Sequence, residues 1–222
     1  MYGATRPQGF QGDLAMKRVL CLLLALLPMV GLADEAGLAD LLVRIRQSGF
    51  AEFRYEETRK LELASSPWQA QGYMLSGADG RLIKLQLQPK RIIMAIAGDR
   101  MYYWDPEQKQ RHAAPLGQAG QATGQITVFR SILQGHAEEL QPTYDFAPEK
   151  HGKRWVLRMT PKRQSDEYAP SIEISGDEDE RKRQVLIRQT DGESTEYRLI
   201  KTSEGPELEY SIQRLLLEAT GD

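Results

Sequence analysis

Apolar and polar residues alternate with a period of two through most of the chain after residue 50. Ile83, Leu85 and Leu87 illustrate the pattern, since lysine and glutamine lie between them. Successive side chains of a β-strand point to opposite faces of a sheet, so this alternation predicts strands with one buried face. The same pattern recurs at Ala51/Phe53/Tyr55, Trp68/Ala70/Gly72, Trp155/Leu157/Met159, Ile172/Ile174, Val185/Ile187 and Tyr197/Leu199.

Short turns separate these predicted strands. The pairs Asp79-Gly80, Gly98-Asp99 and Asp191-Gly192 have the composition of hairpin turns, which indicates antiparallel pairing. The charged run at 177–183 predicts a solvated hairpin tip. A flat open sheet of roughly nine or ten strands is unusual, so we expect the sheet to curl into a half-barrel. No linker or repeat divides the chain, which predicts one domain over residues 34–222.

Two segments have the apolar spacing of helices rather than strands. One stripe consists of Leu38, Leu41, Leu42 and Ile45, and the other of Val128, Phe129, Ile132 and Leu133. We expect both helices to close the open side of the half-barrel. The spacing of residues 208–216 fits either a strand or a helix, and both interpretations stay open.

The N-terminal segment has the layout of a secretory signal. Basic residues at 16–18 precede an apolar run at 19–27, and small residues follow at 31–33. We therefore expect cleavage after Ala33 and export of residues 34–222. Cys21 lies inside the apolar run rather than after a cleavage box, which argues against a lipid anchor. Residues 1–15 have no periodicity and fit an upstream start or a leader.

The composition argues against several classes of function. Lysine plus arginine number 29 and aspartate plus glutamate 31, so the net charge of −2 does not favour binding to nucleic acid. The single cysteine would leave with the signal, which excludes a disulfide and thiol catalysis in the mature chain.

Motifs for catalysis or metal binding are also missing from the sequence. His112, His136 and His151 are far apart, and none belongs to an HExxH motif. The GxSxG elbow, the P-loop and the GxGxxG spacing are absent. Adjacent carboxylates such as Glu56-Glu57 are expected to be solvated. We therefore expect a binding protein with no enzymatic activity, metal or cofactor.

One stretch of the chain resembles a known family. Gly72, Pro89, Gly98 and the run Tyr103-Trp104-Asp105-Pro106 have an order and spacing similar to those of periplasmic outer-membrane lipoprotein carriers, the LolA-like proteins. Segments 155–162, 172–174 and 194–199 resemble later strands of that family. The likeness covers most of residues 34–203.

The resemblance implies a curved antiparallel half-barrel with a helical lid over an apolar cavity. It implies a periplasmic carrier that binds acyl chains of lipoproteins or related lipids and moves them toward the outer membrane. The implied partners are an inner-membrane ABC-type release complex and an outer-membrane acceptor, and we expect a monomer. A carrier for a glycolipid or another envelope acyl product, and an envelope-stress lipid sensor, stay open as alternatives.

The residues expected to line the cavity combine the apolar strand faces with the two helical stripes. They are Leu38, Leu41, Leu42, Ile45, Phe53, Tyr55, Leu75, Ile83, Leu85, Leu87, Met94, Ile96, Val128, Phe129, Ile132 and Leu133.

Two positions depart from the family pattern. The family carries Arg-Pro in its first hairpin, where the arginine bonds the lid shut, whereas Ala78-Asp79 stands here. Alanine has no side-chain donor, so we expect a lid that is not locked in this way and an empty protein that rests more open. The family's C-terminal aromatic strand is replaced by residues 207–217.

Overall fold

The computed structural model describes residues 32–45, 49–116, 130–131, 136–162, 169–178 and 181–222. Helix α1 (Leu32–Ile45) precedes the strands, α2 (Leu208–Thr220) follows them, and a short 3-10 helix spans Ala137–Leu140. The strands are β1 (Ala51–Lys60), β2 (Trp68–Ser76), β3 (Leu82–Gln88), β4 (Ile92–Ala97), β5 (Arg100–Asp105), β6 (Gln110–Pro115), β7 (Tyr144–His151), β8 (Arg154–Pro161), β9 (Ser171–Asp177), β10 (Lys182–Arg188) and β11 (Ser194–Glu204). Residues Gly37–Asp222 form one compact unit. The signal segment up to residue 31 and most of the predicted helix around Val128 to Leu133 lie outside the described residues.

The described strands form one antiparallel sheet of eleven strands, in the order β6-β5-β4-β3-β2-β1-β11-β10-β9-β8-β7. Within β1–β6 and within β7–β11 each strand pairs with its neighbours in sequence, and in the centre of the sheet β1 also pairs with β11. The edges β6 and β7 do not pair with each other, so the sheet is open. The predicted mainly β fold, an open antiparallel sheet with helices, is confirmed. Strand β6 is not among the predicted strands, because an exposed edge strand needs no apolar alternation.

The two faces of the sheet have different covers. The inner face carries Phe53, Leu157 and Ile174 and packs against α1. The outer face carries Ile83 and Ile93, and α2 packs against it over β2 to β6. Strand β4 is therefore covered on both faces, as its nearly continuous apolar sequence predicts.

The ambiguous C-terminal segment is helix α2. Its buried residues Leu208, Ile212, Leu215 and Ala219 fall on one side of the helix, which faces the sheet. Gly221 ends the helix in a left-handed conformation with φ 86°, and its N–H donates to the carbonyl of Leu217. The helical spacing is thus the correct interpretation of residues 208–216.

Arginines from the turns that flank β3 hold both ends of α2. The Arg81 guanidinium donates two hydrogen bonds to the Glu209 carboxylate, at 2.6 and 2.8 Å. Arg91 pairs with Glu218, with 2.9 Å between Nη2 and Oε2. Such partly exposed ion pairs are each worth little, so the apolar side of α2 contributes most of its attachment.

The β5–β6 turn is organised by the carboxylate of Asp105, which is fully buried. One carboxylate oxygen accepts from the backbone N–H groups of Glu107 and Gln108, both at 3.1 Å, and the other accepts from Lys90 Nζ at 2.5 Å. The bond from Lys90, together with the two N–H groups, outweighs burial and lowers the pKa of Asp105 below its ordinary value of 3.8. The Asp-Pro landmark of the sequence therefore has a structural role in closing this turn.

We expect Asp105→Asn to weaken the acid dependence of folding. The pKa of Asp105 is depressed in the folded state, so its charged form contributes stability above the unfolded-state pKa, and this contribution is lost as pH falls through the folded-state pKa. The substitution should lower stability at neutral pH and flatten the fall between neutral pH and about pH 3. Urea titrations at a series of pH values would measure this, and an unchanged acid profile would contradict it.

Gly72 lies where backbone atoms of β2 and β3 approach closely. The register shifts between Gln71 and Gly72, and a Cβ on Gly72 would lie 2.0 Å from the carbonyl oxygen of Leu85. That distance is far below van der Waals contact, and its partner is backbone rather than a flexible side chain. Only glycine fits this position without a shift of the strand.

Gly72→Ala should therefore destabilise the fold by about 2 kcal/mol or more, as overpacking of a well-packed site does. Gly37→Ala is the matched control, because Gly37 lies in α1 and a Cβ added to it would meet nothing within 4 Å. That control should be neutral or stabilising by about 0.5–1 kcal/mol. The midpoints of urea unfolding would compare the two variants, and equal midpoints would contradict the close-approach argument.

Candidate functional site

Helix α1 packs its apolar stripe on the inner face of the sheet. Leu41 and Ile45 are buried there, and Leu38 and Leu42 pack against the same cluster while remaining partly exposed. Val43 lies on the other side of the helix and is 72% exposed. The predicted amphipathic role of this helix is therefore correct.

The inner face is a broad apolar surface that combines strands from both halves of the sheet. Twenty buried residues, including Leu41 and Ile45 of α1, form one cluster. Its members from β8 to β11 are Trp155, Leu157, Met159, Ile172, Ile174, Val185, Ile187, Tyr197 and Leu199. These are the alternating residues of the sequence, so their predicted common face is confirmed.

The predicted cavity residues divide between the two faces. Leu38, Leu41, Leu42, Ile45, Phe53, Tyr55 and Ile96 belong to the inner cluster. Met94 lies on the same face of β4, two residues from Ile96, and is partly buried. Val128, Phe129, Ile132 and Leu133 lie outside the described residues.

Leu75, Ile83 and Leu85 lie on the outer face, against α2, and this corrects the prediction that α1 covers them. Leu87 shares their side of β3 but is 44% exposed. The alternation correctly groups Ile83, Leu85 and Leu87 on one side, but it cannot say which cover lies over that side. Where two helices cover opposite faces of a sheet, a period of two does not indicate which helix covers which face.

Arg183 of β10 holds the C-terminal end of α1. Its guanidinium is buried on the inner face and donates to the carbonyl of Ile45 at 2.9 Å and to that of Arg44 at 3.3 Å. The last carbonyls of a helix have no partners within the helix, and a cation is favourable beside them. Arg183 therefore supplies both hydrogen bonds and charge to the end of α1.

This contact corrects one prediction from the sequence. The charged run at 177–183 predicts a solvated tip, but Arg183 is on the inward-facing side of β10. The end of α1 is bonded by Arg183 rather than from the hairpin of Ala78, and a more open empty protein stays a prediction. The hairpin that contains Ala78 and Asp79 is instead tied to α2, because Arg81 bonds both Asp79 and Glu209.

A group of polar and charged side chains lies on the inner face beside Glu57. We call it the inner polar cluster, and it consists of Tyr55, Glu57, Arg59, Lys84 and Tyr197. Glu57 is fully buried at its centre and accepts from Arg59 Nε at 2.5 Å, from the Tyr197 hydroxyl at 3.1 Å and from Lys84 Nζ. The expectation that Glu56-Glu57 is a solvated pair is therefore wrong for Glu57, while Glu56 points to the outer face and is exposed.

Aromatic rings surround the cations of the inner polar cluster. Lys84 Nζ lies 5.1 Å from the ring centroid of Tyr55 and 5.3 Å from that of Tyr197. The Arg59 guanidinium lies 4.9 Å from the ring centroid of Trp68. Cation–π contacts of this kind partly compensate a cation for its lost water.

Burial and neighbouring charges together set the pKa values of the inner polar cluster. Burial alone would raise the pKa of Glu57, but Lys84 and Arg59 outweigh this effect, and the pKa of Glu57 is lowered. Burial lowers the pKa of Lys84 in spite of the attraction of Glu57. Burial and the nearby charge of Glu57 raise the pKa of Tyr55 and that of Tyr197, so both hydroxyls stay protonated.

Several buried polar atoms of the inner face have no hydrogen-bond partner in the part of the chain that the structure describes. They are the hydroxyls of Tyr55 and Ser76 and the indole Nε1 of Trp155. A buried donor without a partner costs about 1–3 kcal/mol, so such groups require an explanation.

A polar pocket lies on the outer face, away from the predicted cavity. It has a volume of about 400 Å³, and its charged lining includes Arg54, Glu56, Arg154, Asp177, Lys182 and Arg198. A lining of this kind does not match an apolar hollow. Within the described ranges, no group of side chains has the composition of a metal site, and no helix is long and apolar enough to cross a membrane.

The described residues define a fold: an open antiparallel sheet whose apolar inner face is covered by helix α1. No protein-family model and no curated protein matches the chain. The chain is similar to the solved structure of a LolA superfamily protein from Nitrosomonas europaea, with 13% identity and a TM-score of 0.42 over 76% of this chain and 94% of that one.

Two further solved structures are similar to the chain. One is a DUF1329 family protein from Desulfovibrio piger, with 13% identity and a TM-score of 0.43 over 79% of this chain and 95% of that one. The other is MucB, with 17% identity and a TM-score of 0.42 over 79% of this chain and 59% of MucB. The Nitrosomonas europaea protein belongs to the superfamily that the sequence landmarks of this chain resemble.

We expect Arg183→Gln to loosen the end of α1. A hydrogen bond from a charged donor contributes about 1.5–3 kcal/mol, so amide exchange in residues 38–45 should accelerate about tenfold or more. Lys182→Gln is the matched control, because Lys182 precedes Arg183 on β10 and is exposed on the outer face. Hydrogen exchange followed by mass spectrometry would compare them. Equal exchange in the two variants would mean that Arg183 does not hold the lid.

Proposed function

We propose that the chain is an exported periplasmic carrier that binds acyl chains of lipoproteins or related lipids against its inner face. The observation that carries this proposal is the apolar inner face of an open sheet, covered in the described residues by the short helix α1. Helix α1 contacts this face through the side chains of Leu38, Leu41, Leu42 and Ile45. A cover of this kind can move without disturbing the sheet, whose strands remain paired.

The physics of an acyl chain in water supports the need for such a surface. Exposure of a chain to water costs about 0.8 kcal/mol per CH₂, or roughly a dozen kcal/mol for a long chain. A carrier must replace water around the chain with apolar side chains. It must also release the chain, which a movable lid permits and a closed core does not.

Two sequence features support the cellular setting of the proposal. The basic, apolar and small-residue regions of the N-terminal segment favour export and cleavage after Ala33. The landmarks shared with the LolA-like carriers favour cargo transfer between an inner-membrane release complex and an outer-membrane acceptor. Native mass spectrometry of protein recovered from periplasm would identify a retained lipid and the mature N-terminus.

A pair of substitutions in α1 tests whether the inner face binds acyl chains. Leu42 packs toward the inner cluster, whereas its neighbour Val43 is exposed on the opposite side. Leu42→Asp should weaken the binding of a fluorescent fatty-acid probe about tenfold or more, because the new charge would be desolvated beside the chain. Val43→Asp should change the affinity less than about twofold.

An ordinary packed core is the alternative that this experiment must exclude. Leu157 of β8 is fully buried in the inner cluster, and in a packed core Leu157→Ala should cost about 2–5 kcal/mol. A loss of that size, together with no binding of the probe to the unmodified protein, would contradict the carrier function.

A further inference from the structure

The inner polar cluster is not required for binding an acyl chain. Burial of two cations and a carboxylate on an apolar face is costly, and well-packed apolar side chains of similar size are often at least as stable there. A surface that only shields hydrocarbon would be better served by leucine or valine at these positions. The charges at Glu57, Arg59 and Lys84 therefore indicate a ligand group other than the acyl hydrocarbon.

The charges of the inner polar cluster do not balance. Glu57 is the carboxylate that pairs with both Arg59 and Lys84, so one positive charge remains when both cations are protonated. Lys84 is enclosed by Glu57 and two aromatic rings, whereas the side chain of Arg59 is 41% exposed. A guanidinium carries five N–H donors; Glu57 receives one of them from Nε, and the Tyr197 hydroxyl is a further hydrogen-bond partner of Arg59. The excess charge is thus accessible at Arg59.

The Tyr55 hydroxyl is a second observation that points to a ligand. The side chain is completely buried on the inner face, and the hydroxyl has no hydrogen-bond partner among the described residues. Tyr55 and Arg59 lie on the same face of β1, on either side of Glu57. An unpartnered neutral donor and an exposed cation thus lie on one side of the same strand.

We propose that the inner polar cluster binds the anionic head of an amphiphile, a carboxylate or a phosphate, through Arg59 and the Tyr55 hydroxyl. The hydrocarbon of the same ligand lies along the apolar inner face. This inference rests on the proposed carrier function and narrows its cargo to acyl lipids with an anionic head. Charge-assisted hydrogen bonds from arginine to carboxylate or phosphate are strong and directional, which provides selectivity that the hydrocarbon cannot.

Amphiphiles with one chain length and different heads test the inference on the full mature protein. Dodecanoate and dodecyl phosphate carry anionic heads, 1-dodecanol a neutral one and dodecyltrimethylammonium a cationic one. We expect both anionic probes to bind about tenfold or more tightly than the other two in titration calorimetry. Acetate and inorganic phosphate, which lack the chain, should not bind at the same concentrations.

Two substitutions should remove the preference for an anionic head without removing the hydrocarbon site. Arg59→Gln deletes the accessible charge, and Tyr55→Phe deletes the hydroxyl but keeps the ring beside Lys84. Each should bring dodecanoate to within about threefold of 1-dodecanol while leaving the affinity for 1-dodecanol unchanged. Arg54→Gln is the matched control, because Arg54 lies on the outer face of β1 and is exposed.

Stability separates a binding role of Tyr55 from a structural one. The hydroxyl has no partner among the described residues of the empty protein, so Tyr55→Phe should leave the melting temperature unchanged or raise it while the affinity for dodecanoate falls. A lower melting temperature with an unchanged preference for anionic heads would overturn the role of this hydroxyl.

The remaining outcomes distinguish failure of this inference from failure of the carrier function. Equal binding of all the twelve-carbon probes would overturn the anionic-head site and leave the carrier function supported. Absence of binding by every probe, 1-dodecanol included, would overturn both. Binding of acetate or phosphate as tight as that of dodecanoate would define a free-anion site and overturn an amphiphilic cargo.

Discussion

The pairing of β1 with β11 makes a single sheet from two halves of the chain. Strands β1 to β6 form one antiparallel run and β7 to β11 another, and only the β1–β11 ladder joins them among the described strands. Glu57 on β1 lies opposite Tyr197 on β11 because of this ladder, so the inner polar cluster depends on it. Without this pairing, neither half would have a continuous inner face.

Sequence alternation is most informative where one face of the sheet meets water. On β8, Leu157 and Met159 are buried, while Arg158 between them is exposed, so the period of two identifies the inner face directly. On β3 and β4, α2 covers the outer face as well, and alternation no longer indicates which side is the inner one. The sequence therefore groups Ile83 with the α1 stripe, whereas the structure places it against α2.

The charged residues of the inner face could not be located by sequence reasoning. Polarity alone assigns Glu57, Lys84 and Arg183 to solvent, although each lies on the inward side of its strand by the same period that buries its apolar neighbours. Their positions become intelligible only when the partners are known: Glu57 between two cations, and Arg183 beneath the carbonyls of α1. Apart from Arg59, these partners come from distant parts of the chain, and local patterns carry no information about them.

An open sheet also has to avoid growth by addition of further strands. Strands β6 and β7 are its two edges, and an unpaired edge is a template for intermolecular pairing and aggregation. Pro148 interrupts the row of N–H donors on β7, and Pro115 ends β6. Charged side chains such as Arg111 and Lys150 further discourage a second chain from pairing there. Both edges of the described sheet thus carry residues that oppose polymerisation.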